Sequence, residues 1–127
     1  MANPNIVDVT HIYGNNSTTA RSTTSATSIV NNAASSGKIY KINSIVVANV
    51  DGTSAADITI NVYSQDDLGG TAYAIASTIS VPADATLVVT DKTTSFYLKE
   101  DQSVGATAGT ANDLVVTASW EELDATA

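Results

Sequence analysis

Asp57-Ile58-Thr59-Ile60-Asn61-Val62-Tyr63 decides the fold. Ile58, Ile60 and Val62 alternate with Asp57, Thr59 and Asn61. That is a period of two, which a pleated strand buries on one face and wets on the other. The alternation returns at residues 73–81, where Tyr73, Ile75, Ile79 and Val81 share a parity and Pro82 ends the run by removing a backbone donor. It returns once more from Leu114 to Trp120, where Leu114, Val116, Ala118 and Trp120 form the expected core face. Residues 38–50 are more continuously apolar, with Ile39, Ile42, Ile45, Val46, Val47 and Val50. Such a run predicts a central strand, buried on both faces or lying near a bend.

Shorter candidate strands cover residues 6–13, 27–31, 86–90, 95–98 and 103–107. Turn signals separate the runs: Asp51-Gly52, Gly69-Gly70, Pro82-Ala83-Asp84 and Lys99-Glu100-Asp101-Gln102. The composition agrees, because Ser and Thr supply 32 of 127 residues and leucine is scarce. Thr, Val and Ile are stiff at χ1 and suit strands better than helices. The expectation is an all-β chain folded as an antiparallel β-sandwich of about eight strands, jelly-roll-like. An immunoglobulin-like sandwich is the alternative. Residues 1–127 are expected to form a single domain, with an N-terminal arm at about residues 1–5. Residues 14–28 are polar and carry only Arg21 as a charge. They read either as a long loop or as an edge strand whose hydroxyls face water.

Composition excludes several function classes. The absence of cysteine removes disulfide frameworks, thiolate metal sites and cysteine nucleophiles. One histidine, His11, is too few for a multi-histidine metal site. Thirteen acidic residues against five basic ones give a net charge of -8, which opposes binding of nucleic acid through phosphate neutralisation. No run of 18 apolar residues occurs, so no membrane partner is expected. The start Met-Ala-Asn-Pro-Asn has neither basic nor apolar character, so a secretory signal is not expected.

A search for chemistry returns mainly structural readings. His11 shares its parity with Val7, Val9 and Tyr13 and reads as a half-buried strand residue; no Gly-x-Ser-x-Gly elbow accompanies it. Asp66-Asp67 do not match calcium-loop spacing and read as turn residues. Glu121 and Glu122 are strand neighbours, so they point to opposite faces and cannot share a site. No phosphate-binding glycine motif is present. The chain is therefore expected not to be an enzyme and to carry no cofactor. Tyr63 and Tyr97 fall on the polar parity of their strands and are expected to be exposed, as interface residues or as part of a sugar-binding platform. Trp120 is expected in the core.

The order of runs from Lys38 onward resembles a known group. Ile-Tyr-Lys-Ile-Asn-Ser-Ile-Val-Val-Ala-Asn-Val-Asp-Gly leads into Asp-Ile-Thr-Ile-Asn-Val-Tyr. Ile-Ser-Val-Pro-Ala-Asp-Ala-Thr-Leu-Val-Val and Phe-Tyr-Leu-Lys-Glu-Asp-Gln-Ser-Val follow, before Leu-Val-Val-Thr-Ala-Ser-Trp-Glu-Glu-Leu. This pattern is similar to that of the small all-β virion proteins of tailed phages, those of marine cyanobacteria in particular. The family's turn often reads Glu-Gly-Asp where this chain has Glu100-Asp101-Gln102. The resemblance implies a capsid decoration (cement) protein or a tail or neck component, made in the bacterial host cytoplasm and placed on the virion. It implies the major capsid protein and copies of the chain itself, as a homotrimer, for partners. A glycan-binding module of a tail fibre is a further alternative. The interface residues expected on this reading are Asn3, Pro4, Asn5 and Ile6 of the arm, with Tyr63 and Tyr97. The arm would lie across a neighbour, and residues 6–13 would join the sandwich or add to a partner's sheet.

Overall fold

In the computed structural model, residues 4–125 are described. A 3-10 turn at Ile6–Asp8 leads into β1 (His11–Ala20), β2 (Thr27–Asn32), β3 (Lys38–Asn49), β4 (Ala56–Tyr63), β5 (Ala72–Val81) and β6 (Thr86–Thr90). A second 3-10 turn, Lys92–Thr94, precedes β7 (Phe96–Leu98), β8 (Gln102–Ala108) and β9 (Leu114–Asp124). The first sheet runs β1-β9-β3-β6, with β7 also against β3; the second runs β2-β8-β4-β5. Every pairing is antiparallel. The chain passes from one sheet to the other at every connection except β4–β5 and β6–β7, and the strand orders are those of a jelly roll and not of an immunoglobulin-like sandwich.

The core lies between the sheets and follows the alternation. Ile58 and Ile60 of β4 are fully buried opposite Ala108 and Ala106 of β8. Leu114, Val116, Ala118 and Trp120 of β9 face them from the first sheet. Each buried isoleucine or leucine contributes roughly 1.5–3 kcal/mol of apolar transfer free energy. The continuous apolar run of β3 has a simple cause. The register with β9 shifts between Ile42 and Ser44, so Asn43 is the extra residue of a bulge. Tyr40 and Ile42 point inward before it, and Ile45 and Val47 after it, on the other parity. Trp120 is buried and stacks on Tyr40 at 6.1 Å between ring centroids.

Two buried asparagines tie the sheets together at opposite ends. Asn49 on β3 donates through Nδ2 to the Ser54 carbonyl and to the Val81 carbonyl on β5, both at 2.9 Å. Asn32 on β2 donates to the carbonyls of Lys38 at 3.0 Å and Leu98 at 3.2 Å. Asp101 has φ 60, the left-handed conformation. Aspartate tolerates that region better than most side chains.

Three expectations are corrected here. The first strand is not residues 6–13 but His11–Ala20. The Asn5 side chain accepts from the Val7 N–H at 3.0 Å and the Asn5 carbonyl from the Asp8 N–H at 2.9 Å, which winds Ile6–Asp8 into a 3-10 turn. The polar stretch beyond is the edge strand, up to Ala20. Next, the shared parity of Tyr73, Ile75 and Ile79 does not bury them. β5 is a sheet edge, and its register with β4 shifts twice, between Ile58 and Ile60 and between Ile60 and Asn61. Finally, Tyr63 is not exposed: it lies on the outer face of the second sheet but is only 9% accessible. Leu68 of the β4–β5 loop folds back beside it over β8. A Cβ on Gly105 would sit 2.7 Å from Leu68 Cδ2 and 2.9 Å from Tyr63 Cε1. Ser103 Oγ pins that loop, accepting from the Leu68 N–H at 2.9 Å and donating to the Gln65 carbonyl at 2.8 Å.

Candidate assembly surface

The described residues form no pocket and no group of His, Asp or Glu able to hold a metal ion. What they leave open is sheet edge. β1 and β2 lie at one lateral margin, β5 and β6 at the other. An unpaired edge invites pairing with another chain, and natural sheets guard against it with bulges, short strands, proline or charge. β2, β5 and β6 each carry a register shift, and β6 and β7 are short, at five and three residues. β1 has none of these guards. Its ten residues pair with β9 in unbroken register, from His11 opposite Asp124 to Ala20 opposite Val115. Between Ile12 and Ala20 it contains no charged residue and no proline.

Antiparallel geometry identifies the open groups of β1. The Arg21 N–H donates to the Leu114 carbonyl at 2.8 Å, which makes the odd residues of β1 the ones hydrogen-bonded to β9. The N–H and C=O groups of Ile12, Gly14, Asn16, Thr18 and Ala20 therefore point away from the sheet. One of them has a local partner, since the Asn16 N–H donates to Asn15 Oδ1 at 2.8 Å. The same five side chains form the outer face. Ile12 among them is 60% exposed.

The odd residues, on the inner face, are polar where a core strand would be apolar. His11 is exposed at this end of the edge strand and not half-buried as its parity predicted, and it stacks on Tyr13 with ring centroids 5.9 Å apart. Asn15 Nδ2 donates to Glu122 Oε2 at 2.9 Å, and Trp120 Nε1 donates to the same oxygen at 3.1 Å. Lys38 Nζ meets Glu122 Oε1 at 3.5 Å. The carboxylate is thus held by three donors and serves to fix β1 and β3 on β9. Burial, and then the negative charges of Glu122 and Asp124, push the Tyr40 hydroxyl above its ordinary pKa. Glu121 lies on the opposite face and accepts from Asn43 Nδ2 at 3.0 Å.

Arg21 closes β1 and is the residue that sequence reasoning missed. It is 3% exposed, and its Nε and Nη1 have no hydrogen-bond partner among the described residues. Desolvation lowers its pKa. A charge in a polar stretch reads as surface; only the inward parity set by the β9 register shows otherwise.

The expected interface residues do not converge. Asn3 lies outside the described residues. Pro4 is half-buried, and Asn5 caps the first 3-10 turn. Ile6 is exposed, as is Val7 at 86%. Both lead into β1. Tyr97 is exposed as expected, but on β7, on the far side of β3 and β9 from β1. Tyr63 is covered by its own loop. Asp66 and Asp67 are turn residues: Asp66 Oδ2 accepts from the Ala34 N–H, and the Asp67 N–H donates to Asn31 Oδ1 at 2.7 Å.

No protein-family model matches the chain, and no curated protein sequence matches it. Among solved structures it is similar to a chain of the Bacillus endospore appendages, described as a novel family of disulfide-linked pili. That likeness has a TM-score of 0.53 at 19% identity and covers 89% of this chain and 88% of the other. A chain of infectious bursal disease virus, Gx strain, aligns with a TM-score of 0.34 at 11% identity. It covers 90% of this chain, which spans 42% of the viral one, and the score is too low to bear on the fold. The appendage likeness concerns the fold alone.

Proposed function

We propose that the chain is a non-enzymatic structural subunit of a virion, a decoration protein that binds the outer surface of a capsid and braces it. The observation that carries this reading is the β1 edge: a ten-residue strand, regular and uncharged from Ile12 to Ala20, whose outward backbone groups face away from the sheet, the Asn16 N–H alone meeting a neighbouring side chain among the bonds described. A subunit that works alone would guard such an edge. The described acidic groups are used in turns and strand ties, as at Asp51, Asp91 and Glu122, and not gathered around a cleft. The partners on this reading are the major capsid protein and further copies of the chain. The exposed Ile6 and Val7, just before β1, supply apolar surface for a neighbour. The resemblance to phage virion proteins supports the same assignment. A jelly roll without disulfides also suits a protein assembled in a reducing cytoplasm.

Quantitative mass spectrometry of purified particles tests the assignment. Decoration requires about one-third to one copy per major capsid subunit. A few dozen copies or fewer per particle would overturn it and place the chain in the neck, tail or a fibre. The similarity to an appendage subunit favours a fibre as the second reading. The disulfide linkage named for that appendage has no counterpart here, because the chain lacks cysteine. Any fibre it forms is held without disulfides.

A further inference from the structure

Resting on the reading of the chain as a self-assembling subunit, we infer that β1 pairs with β1 of a second copy, antiparallel and across a two-fold axis at Asn16. The two first sheets then become one continuous sheet. Four observations specify the partner and the register.

The edge is self-complementary. Its outward groups sit on Ile12, Gly14, Asn16, Thr18 and Ala20, spaced evenly about Asn16. A two-fold at Asn16 sets Ile12 against Ala20 of the second copy, Gly14 against Thr18, and Asn16 against itself. Each of the five residues then donates once and accepts once, so roughly ten backbone hydrogen bonds form. Shifting the register by two residues leaves groups at both ends unmatched.

The edge is also the place where two copies can approach without strong repulsion. The chain has a net charge of -8, yet Ile12 to Ala20 contains no ionised residue. Next, the outer-face side chains fit: Ile12 meets Ala20, while Gly14 leaves room beside Thr18. Finally, the other edge strands carry bulges or are short, so the same addition there would break register. The Asn15 Oδ1 bond to the Asn16 N–H is exchanged for one to the second copy. The symmetry differs from the three-fold that the phage resemblance implies.

The absence of cysteine makes the register directly testable. At the axis the two Asn16 Cα atoms would lie about 5.5 Å apart, within disulfide range. The two Thr18 Cα atoms would be separated by roughly 14 Å along the strands. Under mild oxidation, full-length Asn16→Cys is expected to convert to a covalent dimer with an unchanged far-UV spectrum, and Thr18→Cys to remain uncrosslinked. Light scattering on the unmodified chain is expected to give twice the 13.0 kDa monomer mass at micromolar concentration. Equal crosslinking of both variants, crosslinking of neither, or a monomer or trimer mass for the unmodified chain would overturn the proposal. Capsid binding is a separate measurement. A monomer that still decorates heads defeats the two-fold pairing and leaves the decoration reading intact; a dimer that ignores heads does the reverse.

Discussion

β1 and β5 are both ten-residue edge strands, exposed over most of their length, yet they solve opposite problems. β5 carries apolar side chains at the surface, Tyr73 at 62% exposure among them. That would make it a sticky edge, but two bulges twist it and Thr78 is held at φ 48. The Thr78 N–H is taken by Thr59 Oγ1 at 3.0 Å. β1 carries hydroxyls, amides and a glycine, and it is regular throughout. On the proposed pairing, a side chain's hydropathy does not tell which edge accepts a partner. Backbone regularity does, because pairing needs a run of unspent donors and acceptors at constant spacing.

The comparison can be broken most severely at Gly105. The loop that leads into β5 rests there through Leu68 and Tyr63, with no room for a Cβ. Gly105→Val is expected to lose about 3 kcal/mol in urea unfolding, the upper part of the range for overpacking. A loss below about 0.5 kcal/mol would mean that the loop is not held as described.

Arg21→Met acts in the opposite direction at the end of β1. Methionine keeps the apolar stem and removes a buried charge whose Nε and Nη1 lack partners. The isolated chain is expected to gain about 1–2 kcal/mol, read as a higher urea midpoint. A loss instead would show that the guanidinium is satisfied in solution.

Much of this architecture was legible in the sequence. Period two marks β4 and β9, where one face meets the core, and the runs read from the sequence lie close to β2 through β8 as well, although the bulges in β3 and β5 break the period there. The first strand escaped because an edge strand exposed on both faces has no burial to record. Ile6, Val7 and Val9 drew the reading toward the N-terminus, while Asn5 capped a 3-10 turn. The buried state of Tyr63 was illegible for a different reason. It depends on Leu68 returning over Gly105, which is a tertiary event with no local signature. Of the expected interface, Tyr97 and Ile6 are exposed as read. The β1 edge was visible only as one of two readings of residues 14–28.

Smaller effects sharpen the contrast. Thr78→Gly relieves a left-handed backbone at a β-branched residue, against the entropy that glycine loses on folding. A net gain of about 0.5 kcal/mol is expected in thermal unfolding, with β5 still bulged. A loss would mean that the Thr78 side chain supports the bulge. The smallest effect is on pH dependence. Hydrogen bonds from the Thr53 N–H and hydroxyl hold the Asp51 carboxyl below its ordinary pKa, and Thr93 does the same for Asp91. A depressed folded-state pKa adds stability that is present above the unfolded value and lost as pH falls through the folded one. Asp51→Asn is therefore expected to flatten the acid limb of the stability profile below about pH 4. An unchanged acid limb would show that these turn bonds do not persist in solution.

The central claim is that β1 is the edge through which the chain assembles. Residue-resolved amide hydrogen exchange, compared between the dilute chain and the assembled particle, tests it most directly. The account predicts that the amides of Ile12, Gly14, Thr18 and Ala20 exchange freely only at dilutions where the chain is monomeric and are protected in the assembled particle, while those of β5 do not change. Protection that appears along β5 with the β1 amides still exchanging would contradict it.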